Sequence, residues 1–202
     1  MKKLSFKPLF VLTGLLLSCP AEAVTCQGFT VTIVGTTRND TLVGTVGNDV
    51  IDGLEGDDTI IGLGGKDIIC GGTGDDTILG GSGNDSINGD TGDDNISGNA
   101  GKDAIDGGNG DDLISGDLGD DKLFGSNGVD SIRGGKGQDR ISGGNGDDLL
   151  FGGADDDSIK GDEGSDTIRG GGGRDRIRGG ASASDNCTAD SDDDTTECET
   201  KL

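Results

Sequence analysis

Gly71-Gly72-Thr73-Gly74-Asp75-Asp76-Thr77-Ile78-Leu79 decides how the chain is read. Working outward from it in both directions gives sixteen consecutive nine-residue units, Gly35 to Arg178, with no insertion or deletion. Each unit opens with Gly. The sixth position is Asp throughout: Asp40, Asp49, Asp58, Asp67, Asp76, Asp85, Asp94, Asp103, Asp112, Asp121, Asp130, Asp139, Asp148, Asp157, Asp166 and Asp175. The eighth is always Ile or Leu, from Leu42 to Ile177. The fourth is Gly in fourteen units and departs at Arg38 and Asp155. A fixed period of this kind signals stacked repeats. A flexible glycine-rich linker has no reason to hold an aliphatic side chain nine residues from the next.

Two glycines per unit mark a tight turn, because Gly tolerates positive φ and close backbone approach. Positions seven to nine are then left to form a short strand, with position eight facing one way and its neighbours the other. One inward aliphatic residue per strand cannot bury itself. Stacking successive units buries a continuous Ile and Leu column. Two units make one coil of turn, strand, turn, strand, so the array predicts an all-β stack of about eight coils.

Units such as Gly71 to Leu79 resemble the calcium-binding nonapeptide of the RTX (repeats-in-toxin) proteins. The resemblance covers the sixteen units and implies a parallel β-roll, a β-solenoid with Ca²⁺ held between stacked turns. In that family the sixth-position Asp and turn carbonyls supply the ligands, which here implies the sixteen Asp named above. Eight turns on each edge leave seven gaps, so the resemblance implies up to about 14 calcium ions.

Composition supports a metal-dependent fold. The 202 residues include no Trp, Tyr or His and only five Phe, too little apolar mass for a conventional core. The net charge is −23, or −25 once residues 1–23 and their three Lys and one Glu are removed. Without metal the Asp stacks repel one another and the chain stays expanded. Metal binding is then the folding reaction itself. An acidic chain of this kind also argues against nucleic acid as a partner.

Residues 1–23 read as an export signal, with Lys2, Lys3 and Lys7, an apolar run Leu9 to Leu17, and Ala21-Glu22-Ala23 as a small-x-small cleavage site. The apolar run is too short to span a bilayer, so no transmembrane helix is expected after cleavage. The alternative is a lipoprotein signal with Cys19 acylated, which Leu17 and Pro20 fit poorly. Secretion is the expected destination. Residues 24–34 read as an N-terminal capping strand: Phe29 to Val34 alternates, and Ile33 lies nine residues before Leu42, in register with the inward column. The array occupies 35–178.

Residues 179–202 break the phase, since Ser184 stands where the next Asp is due, and read as an acidic cap or tail. Asp190, Asp192 and Asp194 have the spacing that opens an EF-hand loop. Thr195 replaces the required Gly, and Lys201 stands at the twelfth position, so the tail reading is preferred. Four cysteines lie beyond the signal: Cys26, Cys70, Cys187 and Cys198. An oxidising compartment favours two disulfides, and pairing Cys26 with Cys70 and Cys187 with Cys198 needs the least distance along the rod.

The leading functional reading is an exported, non-enzymatic calcium-binding β-roll that folds on Ca²⁺. The alternative is a calcium-dependent adhesin or matrix protein whose sheet faces bind a cell-surface glycan, anionic lipid or ice. Outward positions of units ten to sixteen carry Lys122, Arg133, Arg140, Lys160, Arg169, Arg176 and Arg178. They read either as a cationic surface or as charge that prevents aggregation. Catalysis is disfavoured, because the absence of His removes Ser-His-Asp triads and His-ligated zinc. Position five differs between edges. Alternate turns carry Asn39, Asp57, Asp75, Asp93 and Asp111 on one edge, and Lys66, Lys102 and Arg174 fall on the other. The acidic edge is expected to bind calcium first.

Overall fold

A computed structural model describes residues 25–180 and 184–198. The expected export signal, and Cys19 with it, lies outside these residues. The fold is an all-β solenoid. Strands alternate between two parallel sheets, one of nine strands from Thr41–Val43 to Asn186–Thr188, the other of ten from Ile33–Val34 to Asp194–Thr196. Paired residues are eighteen apart: Ile60 faces Ile78 in one sheet and Ile51 faces Ile69 in the other. One coil is therefore two units. About nine coils stack, one more than the sixteen units alone imply.

The strands are longer than three residues. Those in the body of the array run for six, from position seven through position three of the next unit, as in Thr59–Gly64 and Thr77–Ser82. The expectation of a strand confined to positions seven to nine assigned both glycines of a unit to the turn. Only the fourth-position glycine is there; Gly74, for example, turns the chain at φ 123°. From Gly53 onward the first-position glycine lies mid-strand and is buried.

Position eight fills the interior. Residues from Ile51 to Ile177 at this position form one cluster, each at most 3% exposed. Ile33 and Leu42 pack on it at one end, Cys187 and Cys198 at the other. The interior is only two side chains wide per coil, so burial of apolar area alone is small for the length of chain ordered.

At the N-terminal end, Phe29 to Val34 does not form one strand. Thr25–Cys26 and Phe29–Thr30 make a short antiparallel hairpin, and Ile33–Val34 joins the ten-stranded sheet with Ile33 opposite Ile51. Ile33 thus continues the inward column, whereas Phe29 is exposed. The hairpin folds back over the outer face of the sheet, against Val50–Glu55 and Ile68–Thr73. The Cys26–Cys70 disulfide fastens it there. Gln27 and Ser86 exchange two hydrogen bonds beside it.

At the other end the solenoid continues past Arg178. Asn186–Thr188 and Asp194–Thr196 extend the two sheets. Cys187 stands opposite Ile168 in the inward column and pairs with Cys198. Both disulfides follow the pairing favoured from sequence. Asp194 begins a strand instead of sitting in a calcium loop of EF-hand type.

Candidate metal centre

The sixth-position Asp sits at the corner of every half-coil, and its backbone and side chain both point along the stack. The Asp58 carbonyl accepts the Thr77 N–H at 2.8 Å, and the Asp76 carbonyl accepts the Asn95 N–H at 2.8 Å. The carboxylate works in the opposite direction. Asp76 Oδ1 accepts the Asp58 N–H at 2.7 Å, and Asp94 Oδ1 accepts the Asp76 N–H at 2.8 Å. On the other edge Asp103 Oδ1 accepts the Asp85 N–H at 2.8 Å. Two ladders result, from Asp40 to Asp185 on one edge and from Asp49 to Asp193 on the other.

Oδ2 separates the candidates. In Asp58, Asp67, Asp76, Asp85, Asp94, Asp103, Asp112, Asp121, Asp130, Asp139, Asp148, Asp157, Asp166 and Asp175 this oxygen is buried and has no hydrogen-bond partner among the described residues. Asp40 and Asp49 differ. The backbone N–H of Thr36 donates to Asp40 Oδ2 at 2.6 Å and the hydroxyl at 2.7 Å. Thr45 does the same for Asp49, at 2.6 and 2.9 Å. Both threonines occupy position two of their own units, so a satisfied first turn can be read from Thr at that place.

A buried acceptor without a partner costs about 1–3 kcal/mol, more when charged. Here the penalty recurs every coil, with carboxylates of like charge above and below. Burial is the main cause that raises the pKa of these groups, with ladder neighbours adding to it and the backbone N–H bond partly offsetting it. Asp76, Asp121 and Asp139 are raised to about 6, and Asp94, Asp103, Asp112, Asp148 and Asp157 to about 7. Among the causes that act on these groups a basic side chain enters at Asp121, where Lys102 lowers the pKa against the larger effect of burial.

The available donors are all oxygen. Asp94 Oδ2 and the Gly107 carbonyl oxygen converge over Gly89, where an added Cβ would lie 2.2 and 2.4 Å from them. An oxygen-only set of carboxylates and carbonyls suits a hard cation such as Ca²⁺ and not the nitrogen and sulfur preference of zinc. Among the described residues no three carboxylates gather at one point. A cation here would therefore draw on one carboxylate per turn and on backbone carbonyls.

Two members of the ladders lie beyond the sixteen units. Asp185 is buried at the place where the nonapeptide phase puts Ser184, because one extra residue enters the coil. Asp193 falls back into phase, eighteen residues beyond Asp175, and its Oδ1 accepts the Asp175 N–H at 2.9 Å. The signal was available: Asp193 is the sixth position of an eighteenth unit.

Position five forms a second, exposed ladder. On the acidic edge Asn39, Asp57, Asp75, Asp93 and Asp111 each accept the N–H of the next position five; the run breaks at Val129, which has no acceptor, and resumes where Asp147 accepts the Ser165 N–H. On the other edge only Asn48, Asn84, Asp120 and Asp156 do so, every second coil, because Lys66, Lys102 and Gln138 offer no acceptor at the same reach. These side chains are thus neither idle nor part of the buried site. They cap turns, and their charge is felt by the buried carboxylates: Asp57 and Asp75 both add to the rise at Asp76.

No helix among the described residues is long and apolar enough to cross a membrane. In comparisons with known proteins, no individual curated protein matches the chain. The sequence pattern of the RTX calcium-binding nonapeptide repeat (4 copies) matches it repeatedly, in seven windows that together span residues 34–195. Repeats of this kind bind calcium, and the two buried carboxylate ladders are consistent with calcium sites. The chain belongs to the RTX calcium-binding nonapeptide repeat family.

Proposed function

We propose that the chain is an exported calcium-binding protein whose solenoid forms when its aspartate ladders take up Ca²⁺, and that it acts without a catalytic domain. The observation that carries this reading is the run of fourteen buried Oδ2 atoms with no partner. A fold that leaves so many carboxylate oxygens unsatisfied is stabilised by a cation that offsets them, and a site absent from the unfolded chain makes binding and folding one reaction. The ligands in this reading are these fourteen Asp, seven on each edge. Asp40 and Asp49, already satisfied by threonine, contribute less. Residues 24–34 and 179–202 close the two ends of the array at 35–178. Two disulfides fit an oxidising destination outside the cell.

The test is circular dichroism and small-angle scattering on residues 24–202. In chelator the chain is expanded with little β-signal; Ca²⁺ produces β-signal and compaction together, with a midpoint of about 10⁻⁴–10⁻³ M, typical of extracellular calcium modules. A compact, β-rich protein in excess chelator sinks the proposal.

A further inference from the structure

We propose that the outer face of the nine-stranded sheet binds a carboxylated glycan along a strip formed by Arg133, Phe151 and Arg169. The proposal rests on the calcium-folding reading only in that the face exists when the solenoid is folded.

The three residues occupy position nine of successive coils on this sheet, with Phe151 in register between Arg133 and Arg169. The Arg169 guanidinium lies over the Phe151 ring, 6.0 Å from its centroid. Beside them runs a groove of about 360 Å³ lined by Arg133, Phe151, Gly153, Arg169, Gly170 and Gly171. Its floor is bare backbone. Position two is Gly135, Gly153 and Gly171 in the three coils, and a Cβ on Gly153 would lie 2.2 Å from the Gly135 carbonyl oxygen. Lys136 stands at position three of the first of these strands.

The charge is as selective as the shape. The chain carries −23 overall, yet the strands Ser131–Lys136, Leu149–Ala154 and Thr167–Gly172 contain no acidic residue. Among the described residues, ion pairs form at Lys102 with Asp120 and at Lys160 with Asp162, and none involves Arg133, Lys136 or Arg169. Charge placed only to prevent aggregation needs neither an aromatic ring between the guanidiniums nor a glycine floor alongside.

A guanidinium presents paired donors that match a carboxylate. Arg133 and Arg169 are two coils apart, about 9.6 Å at ordinary strand spacing. That is the span of two linked hexoses, so a glycan with a carboxylate on alternate sugars meets both. The ring wall and the backbone floor suit the C–H face of a sugar. Single-stranded nucleic acid stacks successive bases on a series of aromatic side chains, and Phe151 is the one aromatic residue lining this groove. A membrane surface engages a broad cationic face, whereas the basic residues here, Arg133, Lys136 and Arg169, lie on two strands flanking Leu149–Ala154 and form a narrow strip that a thin polymer can follow.

The experiment measures binding of a hyaluronan decasaccharide to the calcium-loaded protein at low salt. Serine already occupies position nine in the same column at Ser97 and Ser115, so Arg133→Ser with Arg169→Ser is compatible with the fold. We expect this pair to lose at least tenfold in affinity, Phe151→Ser to weaken binding several-fold, and Lys122→Ser with Arg140→Ser on the opposite sheet to change it less than twofold. If the serine pair fails to give the calcium-induced β-signal, Arg133→Gln with Arg169→Gln supplies the same readout. A folded wild type that ignores the glycan overturns the inference alone, as does equal loss from the opposite-sheet pair. Preferential attachment to phosphatidylglycerol vesicles or to single-stranded DNA overturns it too. A chain that stays unfolded in calcium overturns the calcium reading and this one with it.

Discussion

Asp94 Oδ2 lies over the bare Cα of Gly89, the first residue of its own unit, and a Cβ on that glycine would be 2.2 Å away. The same Cβ would lie 2.4 Å from the Gly107 carbonyl oxygen in the next coil. The repeat's two invariant polar-edge features are therefore one feature. Glycine opens position one, and the carboxylate of position six folds into the opening. Gly53 and Asp58, and Gly71 and Asp76, repeat the relationship at 2.4 and 2.3 Å.

Gly89→Ala should accordingly damage both the strand and the buried carboxylate. Neither the Gly107 carbonyl nor Asp94 can yield without breaking a ladder, so an overpacking cost of about 1–3 kcal/mol is expected. The calcium midpoint of the β-signal should rise several-fold. Gly172 is the control: an added Cβ there meets nothing within 4 Å, and Gly172→Ala should leave the midpoint unchanged. Equal behaviour of the two variants would show that position one is not crowded.

The pH response should have opposite signs with and without calcium. Asp94, Asp103 and Asp148 have pKa values raised from 3.8 to about 7, chiefly by burial. The folded, metal-free state then binds more protons than the unfolded chain, so its stability falls as pH rises through about 6–7. In chelator, acidification from pH 8 to pH 5 should increase β-signal. In calcium, protons compete for the same oxygens, and the same acidification should raise the calcium midpoint. A chelated chain whose β-signal is flat or falls over this range would contradict the buried placement of these carboxylates.

The coil was legible because three residue types recur in one phase: Gly, Asp and Ile or Leu at positions one, six and eight. Their roles were less so. Gly89 and Gly92 look alike in sequence, yet one is buried mid-strand and the other turns the chain at φ 136°. Only the close approach of Asp94 distinguishes them, and that contact is made through space. The same limit hid Asp185, since a shift of one residue is invisible when Ser184 and Asp185 are read against a rigid period. Phe29 to Val34 alternates as a strand should, but the disulfide to Cys70 bends its first half outward. The split of the sixteen aspartates into fourteen and two depends on the backbone N–H and hydroxyl of Thr36 and Thr45, a signal present at position two whose meaning the built turn supplies.

That split is testable. Asp103→Asn keeps an oxygen for the Asp85 N–H but removes charge from a buried position with an unsatisfied Oδ2. It should lower the calcium stoichiometry and strip hydrogen-exchange protection from neighbouring coils, leaving both ends intact, because a repeat array couples mainly through neighbours. Asp49→Asn can turn its amide oxygen to Thr45 and should change stoichiometry little. Identical losses in the two variants would erase the distinction drawn from Oδ2.

The Cys26–Cys70 bond should govern the hairpin and not the array. It closes a loop of 44 residues, and by loop entropy it is worth up to about 4 kcal/mol. The hairpin has little else to hold it: two strands of two residues and the Gln27–Ser86 pair. It contacts the strands Val50–Glu55 and Ile68–Thr73, and in the first of these Asp52, opposite Cys70, is only 8% exposed with its pKa raised by burial. Cys26→Ser with Cys70→Ser should therefore release residues 25–30 in calcium, expose Asp52 to solvent and return its pKa toward 3.8. Hydrogen-exchange protection in Ile87 to Ile177 should persist, since that column is built from contacts between coils. Loss of protection spreading through those coils in the double variant would mean that the hairpin is part of the folding unit and not an appendage fastened to its face.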